Sequence, residues 1–478
     1  MVSTLWLYLS NFYDYFVLFY FIIINIIYLF LLVISLPTIL NYIRRNKFVD
    51  YLRILQSDFA PAISIIAPAY NEEKTIIDSV QALLKLKYSK YEVVVVNDGS
   101  RDSTLGRLID TFKLVKIHKQ CEQFLSTAPV KGVYCSSVSA YDRLVVIDKE
   151  NGGKADALNC GVNIASSQLV CAIDADSLLE QDALLKVVKP YLEDPGRVIA
   201  VGGIVRIVNG SVVRNGYVEK VRLSDRALPV FQVVEYLRAF LTGRIGWSAI
   251  DGLLVISGAF GLFNRNAVIE TGGYDPKTVG EDMELVVRMH RLMREKKRDY
   301  KVIFVPDPVC WTEAPEDLGT LMRQRNRWQR GLIDTLRIHK KMLLNPKYGV
   351  IGMLSLPYFL FFETLGPFVE LTGILFVTAS YIFGWVNFLF FVAFLAVAIL
   401  YGILLSVGAI LLEEYSFHRY PHPGDLLKLV AFGIIENFGY RQMTVWWRVK
   451  ATVDYFRGVR SWGTMSRVGF STDGKVKS

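Results

Sequence analysis

The chain has 478 residues, 52% hydrophobic and only 21% charged, with 54 Lys and Arg against 45 Asp and Glu. So little charge excludes a disordered chain, and the gathering of apolar residues into long uncharged runs excludes a wholly water-soluble one. The net charge of +9 forms no basic and aromatic stripe through the polar middle, so nucleic acid is set aside as a partner.

Tyr15 to Ile43 contains no charged residue, the mark of a membrane-spanning helix. Arg44, Arg45 and Lys47 follow it, whereas only Asp14 precedes it. Basic flanks stay on the cytosolic side, so the N-terminus is expected outside and the long polar middle in the cytosol. The run is too long for a signal peptide and lacks a basic start and a small-x-small site, so residues 1–48 read as an uncleaved anchor. The cysteines (Cys121, Cys135, Cys160, Cys171 and Cys310) have no metal-type spacing and are expected as reduced thiols.

Residues 49–345 alternate strand-like and helix-like segments, the pattern of an α/β domain with a largely parallel sheet. Strands are expected at Ala62–Ala67, Tyr91–Asn97, Arg143–Asp148 and Leu169–Asp174, each almost wholly apolar as strands buried on both faces are. Helices are expected at Glu73–Leu86 and Lys154–Ala165. Asn209-Gly210, between Ile204–Val208 and Ser211–Arg214, predicts a hairpin turn. Met322–Lys341 is a basic amphipathic stretch that ends the domain against the membrane.

Residues 346–447 hold further membrane and interfacial helices. Leu371 to Leu412 is uncharged but interrupted at Gly384-Trp385-Val386-Asn387, and a crossing needs about 20 residues. The first of these spans must therefore start near Tyr358, which puts Glu363 and Glu370 at membrane depth on one helical face. They either face a polar cavity or partner, or lie in water on a tilted interfacial helix. Leu426–Arg448 reads as an amphipathic stretch interrupted by Glu436, Asn437, Arg441 and Gln442 and lying in the interface, which leaves residues 448–478 as a basic cytosolic tail after three spans.

The expected strand ends carry the chemistry. Asp174-Ala175-Asp176 follows a buried strand, where open α/β sheets bind ligands, and its two carboxylates suit a hard divalent cation completed by a diphosphate. Tyr70 can stack on a base and Glu72 lies beside it, although Glu is also ordinary at a helix start. Asp98 in Asn97-Asp98-Gly99-Ser100 is a candidate for a uracil or ribose edge, or a plain Asx turn. Asn151-Gly152-Gly153-Lys154 offers an amide concavity and a cation at a helix start, an anion site. It is no P-loop, since Asp148 and Ala155 depart from that pattern. Asp282 in Gly280-Glu281-Asp282 is either a helix N-cap or a general base beside an acceptor hydroxyl. Gln324 and Arg327 lie one helical step apart, able to meet a leaving diphosphate, with Trp328 offering a face to a sugar; headgroup contact is the alternative.

In this order the motifs Pro68-Ala69-Tyr70-Asn71-Glu72, Asn97-Asp98-Gly99-Ser100, Asp174-x-Asp176, Gly280-Glu281-Asp282 and Gln324-x-x-Arg327-Trp328 resemble membrane-embedded family-2 glycosyltransferases. That group includes the cellulose, chitin, hyaluronan and poly-β-1,6-N-acetylglucosamine synthases. The resemblance implies a GT-A (Rossmann-like) domain with flanking transmembrane helices, and an inverting, processive transfer from a UDP-sugar to a β-linked polysaccharide, coupled to export. A single transfer to a glycolipid acceptor is the runner-up, and a nucleotide-binding transporter or receptor the reading from another class. The resemblance implies donor contacts at Tyr70, Glu72, Asp98, Lys154, Asp174 and Asp176, with Mg²⁺ or Mn²⁺ on Asp174 and Asp176. It implies the base at Asp282, the pocket for acceptor and leaving group at Gln324, Arg327 and Trp328, and the acceptor loop at Ser257 and Gly258. Gly280 stands where cellulose synthases have Thr. The partners so implied are the donor, the glycan and the lipid bilayer; the sugar, the linkage and any accessory subunit are not read from these residues.

Overall fold

The computed structural model describes residues 2–46, 51, 55, 57, 59–118, 122–214, 216–420 and 422–458. Cys121, Lys47 and residues 459–478 of the expected basic tail lie outside these. The N-terminal run forms α1 (Val2–Asn46). Beyond it come β1 (Ile63–Ala69), α2 (Ile76–Leu84), β2 (Tyr91–Asp98), α3 (Thr104–Phe112), β3 (Leu114–Ile117), β4 (Val130–Ser136), β5 (Leu144–Lys149), α4 (Lys154–Ile164), β6 (Leu169–Ile173) and β7 (Leu178–Leu179). They are followed by α5 (Ala183–Glu193), β8 (Val198–Ile207), β9 (Val212–Arg214), β10 (Tyr217–Lys220), α6 (Ala227–Tyr236), a π-helical segment (Leu237–Arg244) and α7 (Ile245–Ala249). The domain closes with β11 (Phe260–Asn264), α8 (Arg265–Glu270), α9 (Glu281–Glu295), β12 (Lys301–Thr312) and α10 (Leu318–Ile338).

Among the described residues ten strands form one sheet, in the order β3-β4-β5-β2-β1-β6-β11-β8-β12-β7. The expected largely parallel sheet is a mixed one. Parallel pairing holds for β5-β2-β1-β6 and for β8-β12, while β3-β4, β4-β5, β6-β11, β11-β8 and β12-β7 are antiparallel. The apolar runs foretold the four central strands because these are covered on both faces: Val93, Val94, Val95 and Val96 are fully buried. Each contributes about 1.5–3 kcal/mol relative to an exposed side chain. Helix α4 lies so close on β1 that a Cβ at Gly161 would stand 2.3 Å from Ile66 Cγ2. The chain steps outward from β1 to β2 and β5, then returns to β6 on the other side of β1. That reversal opens a crevice beyond the carboxyl ends of β1 and β6, where α/β sheets bind ligands.

Two local expectations change. The helix expected from Glu73 starts at Ile76, because residues 71–73 are clamped to the loop after β2 instead. Asn209-Gly210 makes a turn but not a hairpin between its flanking segments. β9 pairs with β10, while the Asn209 side chain accepts from the Ala314 N–H at Oδ1 (2.7 Å) and donates through Nδ2 to the Ala314 carbonyl (3.1 Å).

Phe12–Asn46 of α1 and α12 (Phe388–Phe417) are long and apolar enough to cross a membrane. Ile351–Thr364, largely of π-helical turns, and α11 (Gly366–Ile382) meet at a 42° bend and make a third such element when taken as one span. The interrupted stretch expected at Leu426–Arg448 is two helices, α13 (Pro423–Ile435) and α14 (Tyr440–Phe456). The break falls at Gly439, whose φ of +103° suits glycine and whose N–H donates to Gln442 Oε1 (2.7 Å). The boundary expected at residue 447 thus falls inside α14, which packs along α10 through Asn326 Nδ2 to Asp454 Oδ2 (2.9 Å) and Arg448 Nε to Gln329 Oε1 (2.9 Å). Glu363 and Glu370 have partners on this helix. Arg448 Nη2 lies 3.0 Å from Glu363 Oε2, and Arg441 Nε 2.8 Å from Glu370 Oε1, so two carboxylates seven residues apart meet two guanidinium groups seven residues apart. Tyr358 donates to the other oxygen of Glu363 (2.8 Å).

Candidate active site

The loops after β1 and β2 are bonded reciprocally. The N–H groups of Asn71, Glu72 and Glu73 donate to Ser100 Oγ (3.0 Å), Thr104 Oγ1 (2.9 Å) and Asp102 Oδ2 (3.1 Å), and Asn71 Oδ1 accepts from the Arg101 N–H (2.8 Å). Glu72 Oε2 accepts from the Thr75 hydroxyl at 3.0 Å, so its carboxylate caps this turn. Tyr70 is 45% exposed at the rim of the crevice. Its backbone is held by the neighbouring clamp while its ring faces solvent.

Asp98 is occupied by the protein itself. Its Oδ1 is 2.6 Å from Lys149 Nζ and 3.0 Å from the Gly152 N–H, and its Oδ2 accepts from the Gly153 N–H at 2.8 Å. Lys149, fully buried, also lies 2.6 Å from Asp156 Oδ1 and donates to the Glu150 carbonyl (2.6 Å). The amide concavity of Gly152 and Gly153 is filled by an internal carboxylate, and Asp98 holds that loop in place. A carboxylate is the chemistry such a concavity binds; the one it found is 54 residues away in sequence and adjacent in the sheet through the β2-β5 pairing.

Gly153, at φ +87°, ends this loop and delivers Lys154 to the first turn of α4. Lys154 Nζ lies 2.5 Å from Asp174 Oδ1 and 3.6 Å from Glu281 Oε1. Burial works against the ammonium, but Asp174, Glu281 and Asp282 outweigh it and hold its pKa above the usual lysine value. Burial pushes the Glu281 carboxyl up, Lys154 opposes this and Asp282 adds to it. Asp282 is not the N-cap of α9; Gly280 takes that place. Its Oδ2 accepts from the Gly258 N–H at 2.9 Å and its Oδ1 from the Met283 N–H at 2.8 Å. A Cβ at Gly258 would stand 3.0 Å from Lys154 Nζ and 3.4 Å from Asp282 Oδ2, so the loop carrying Ser257 and Gly258 touches both. Asp174, Lys154, Glu281, Asp282 and Gly258 therefore share one crevice.

Asp176 is buried two residues beyond Asp174, and both carboxylates add to the burial that raises the Cys310 thiol pKa. No group of three or more His, Cys, Asp and Glu side chains poised for a metal occurs among the described residues. The donor chemistry of Asp174 and Asp176 nonetheless fits a hard cation of the Mg²⁺ or Mn²⁺ kind, which takes one or two carboxylates and completes its shell with phosphate and water. Asp174, 29% exposed, faces the crevice with one oxygen held by Lys154.

Helix α10 (Leu318–Ile338) carries Gln324, Arg327 and Trp328. Trp328 is 44% exposed, with the Arg325 guanidinium 4.3 Å above its ring and Tyr236 6.4 Å away. Arg325 is itself buried and bonded to Glu235 at 2.7 Å. The charge of Arg327 reaches Glu281, where it opposes the upward push of burial. Gln324 Oε1 is buried without a hydrogen-bond partner. What lets α10 approach α9 is a contact of glycines: a Cβ at Gly280 would stand 2.8 Å from Gly331 Cα. Threonine at position 280 would not fit against this helix.

Three residues escaped sequence reasoning. Glu281 was read only as part of its motif, although an acidic pair opening a helix signals charge aimed at one end. Lys149 gave no signal, since nothing local distinguishes it from a surface lysine. Arg244 ends the π-helical segment with its guanidinium 3.9 Å from the Phe240 ring, and one of its nitrogens is buried without a partner. Burial pulls its pKa down to about 10, and Asp282 opposes that shift, which puts Arg244 near the candidate base.

The profile of glycosyl transferase family 2 matches residues 64–268, and that of glycosyl transferase family group 2 matches residues 169–407, half of the chain. A poly-beta-1,6-N-acetyl-D-glucosamine synthase of Staphylococcus aureus (strain COL) is 30% identical over 275 residues, 57% of this chain and 55% of the relative. The synthase of that name from Staphylococcus epidermidis is 29% identical over 269 residues, 56% and 54% of the two. The chain thus spans about half the length of the curated relatives it matches. Among solved structures, the mannosyltransferase PcManGT from Pyrobaculum calidifontis in complex with GDP-Man and Mn²⁺ aligns with 87% of this chain and 99% of its own, at 19% identity and a TM-score of 0.46. The chain belongs to glycosyl transferase family group 2, and its mixed sheet is that of a GT-A fold.

Proposed function

We propose that this member of family group 2 transfers a hexose or N-acetylhexosamine from a UDP-sugar to a growing β-linked polysaccharide, with inversion and processively, at the cytosolic face of a membrane. The observation that carries the reading is the convergence of Asp174, Lys154, Glu281, Asp282 and the Gly258 amide at the carboxyl ends of parallel strands. Asp282 is held by two backbone N–H groups, so it meets an acceptor hydroxyl without first reorganising. It takes the proton as that oxygen attacks the anomeric carbon from the face opposite the diphosphate, and the bond from that carbon to the diphosphate oxygen breaks. Lys154 and Arg327 face the charge that develops on departing UDP. Asp174 and Asp176 would hold Mg²⁺ or Mn²⁺, whose charge, when bound, offsets that of the diphosphate. Tyr70 stacks on the base, and Trp328 lies under the acceptor sugar with Gln324 and Ser257 beside it.

Export is part of the reading. A glycan cannot cross hydrocarbon with its hydroxyls unsatisfied. The Glu363–Arg448 and Glu370–Arg441 pairs give a polar seam among the apolar helices, joined to α10 through Gln329. Intramembrane charges of this sort mark polar pathways.

One experiment tests both parts. The full chain, reconstituted in vesicles, is given a panel of UDP-sugars with Mn²⁺, and UDP release, product length and vesicle-protected product are measured. One sugar is expected to yield long, protected polymer. Asp282→Asn should lower turnover about 10²–10⁴-fold while donor binding persists; substantial residual polymerisation refutes the base. Glu363→Leu with Glu370→Leu should leave UDP release intact and lose protected product. Single-sugar products would replace processivity by one-step transfer.

A further inference from the structure

The position of Lys154 is unusual for a cation. It occupies the first turn of an eleven-residue helix, where the helix dipole presents its positive end and disfavours an ammonium. Carboxylates hold it there: Asp174 at 2.5 Å, with Glu281 at 3.6 Å behind. A Cβ at Gly258 would stand 3.0 Å from the ammonium, so any larger residue there would crowd it. Asp174 is the outer member of the pair of carboxylates read above as a metal site, and here its nearest charge is a lysine.

A divalent cation on Asp174 and Asp176 would lie within a few ångströms of that ammonium, and like charges at such a distance in a partly desolvated crevice repel strongly. The lysine and the cation therefore compete for the same oxygen. Lys149, five residues earlier, could not enter such an exchange, because it is sealed between Asp98 and Asp156. Lys154 and Asp174 are 23% and 29% exposed, open enough for ions to reach them. A donor diphosphate would bring negative charge for the ammonium to follow once it leaves Asp174.

We propose that Lys154 is an internal counter-cation that keeps Asp174 closed to metal until the donor arrives, exchanging its carboxylate partner for the diphosphate as the divalent cation takes its place. The proposal rests on the reading of Asp174 and Asp176 as metal carboxylates. It makes metal and donor enter together, so the empty enzyme holds little metal and donor binding depends on the ion.

The test measures Mn²⁺ binding by the electron paramagnetic resonance of the free ion, with the purified full chain in detergent, with and without UDP. The wild type should bind Mn²⁺ weakly alone and at least about tenfold more tightly with UDP. Lys154→Met should bind Mn²⁺ alone about tenfold more tightly than the wild type and gain less from UDP. Lys154→Arg, which keeps the charge, should resemble the wild type and serves as the folded reference. If Lys154→Met binds Mn²⁺ alone no better than the wild type, while Asp176→Asn abolishes the UDP-dependent binding, the exchange is overturned and the metal reading stands. If the wild type binds no Mn²⁺ even with UDP, and Asp176→Asn changes nothing, the metal reading falls and takes the exchange with it.

Discussion

Two lysines flank one glycine loop and meet opposite fates. Lys149, at the end of β5, is fully buried, and its three N–H bonds go to Asp98, Asp156 and the Glu150 carbonyl. Lys154, at the start of α4, touches carboxylates too, but in a crevice open to solvent and beside more acidic groups than it can neutralise. The closed cluster is complete and fixes the loop; the open one is left with unbalanced negative charge. Burial with full satisfaction marks architecture, and partial exposure with unbalanced charge marks chemistry.

The sharpest way to break this contrast is to remove each lysine in turn. Lys149→Met leaves Asp98 and Asp156 buried without their counter-ion, which should destabilise the fold by about 3–5 kcal/mol. Lys154→Met removes a partly exposed pair and should cost less stability than Lys149→Met. Denaturant unfolding of both variants checks this, and equal losses would erase the distinction. Lys149→Met should also lower donor affinity, because the loop that aims Lys154 loses its anchor.

Much of the frame was legible in sequence. The uninterrupted apolar runs announced the four central strands, since burial on both faces leaves no alternation, and the acidic residues at their ends announced the crevice. What was not legible is which partner each polar group takes. Asp98 and the Gly152-Gly153 amides each looked like half of a ligand site, and their union depends on β2 pairing with β5, a contact no local pattern encodes. Glu363 and Glu370 were visible as an odd pair at membrane depth. Their match, Arg441 and Arg448 at the same spacing, was present in the sequence too, but placing Leu426–Arg448 in the interface kept it apart from them. The glycine contact between Gly280 and Gly331 shows in sequence only as a missing side chain.

Helix α9 repeats the contrast along its own length and lets pH probe it. Glu281 and Asp282 open it into the crevice, whereas His290, two turns on, is sealed between the Leu253 carbonyl and the Tyr300 hydroxyl, 2.8 Å from each. Burial pulls the His290 pKa down to about 4, with the Leu253 carbonyl opposing. Its ordinary value is about 6.5, so the unfolded chain binds the proton more readily. The stability this group supplies is present above pH 6.5 and is lost as pH falls through about 4, a difference on the order of 3 kcal/mol. Unfolding measured between pH 7 and 4 should show this decline, and His290→Gln should flatten it. A decline of equal size in that variant would move the acid lability to the open carboxylates.

The smallest effect should come where the open cluster meets the helix that completes it. Gly331 and Gly280 set the distance between α10 and α9, since a Cβ at Gly331 would stand 2.7 Å from Gly280 Cα. Gly331→Ala pushes the helices apart until that carbon–carbon approach nears ordinary van der Waals distance, at about 1–3 kcal/mol of overpacking. Any gain in helix propensity is smaller than that. The displacement moves Arg327 and Trp328 away from Asp282 but leaves Lys154 and Asp174 where they are. The expected kinetic signature is therefore a fall in kcat of about tenfold or more with the donor KM unchanged, because misplaced groups lose alignment in the transition state. A rise in donor KM at constant kcat would instead tie α10 to donor binding, and the division of the crevice between α4 and α10 would have to be redrawn.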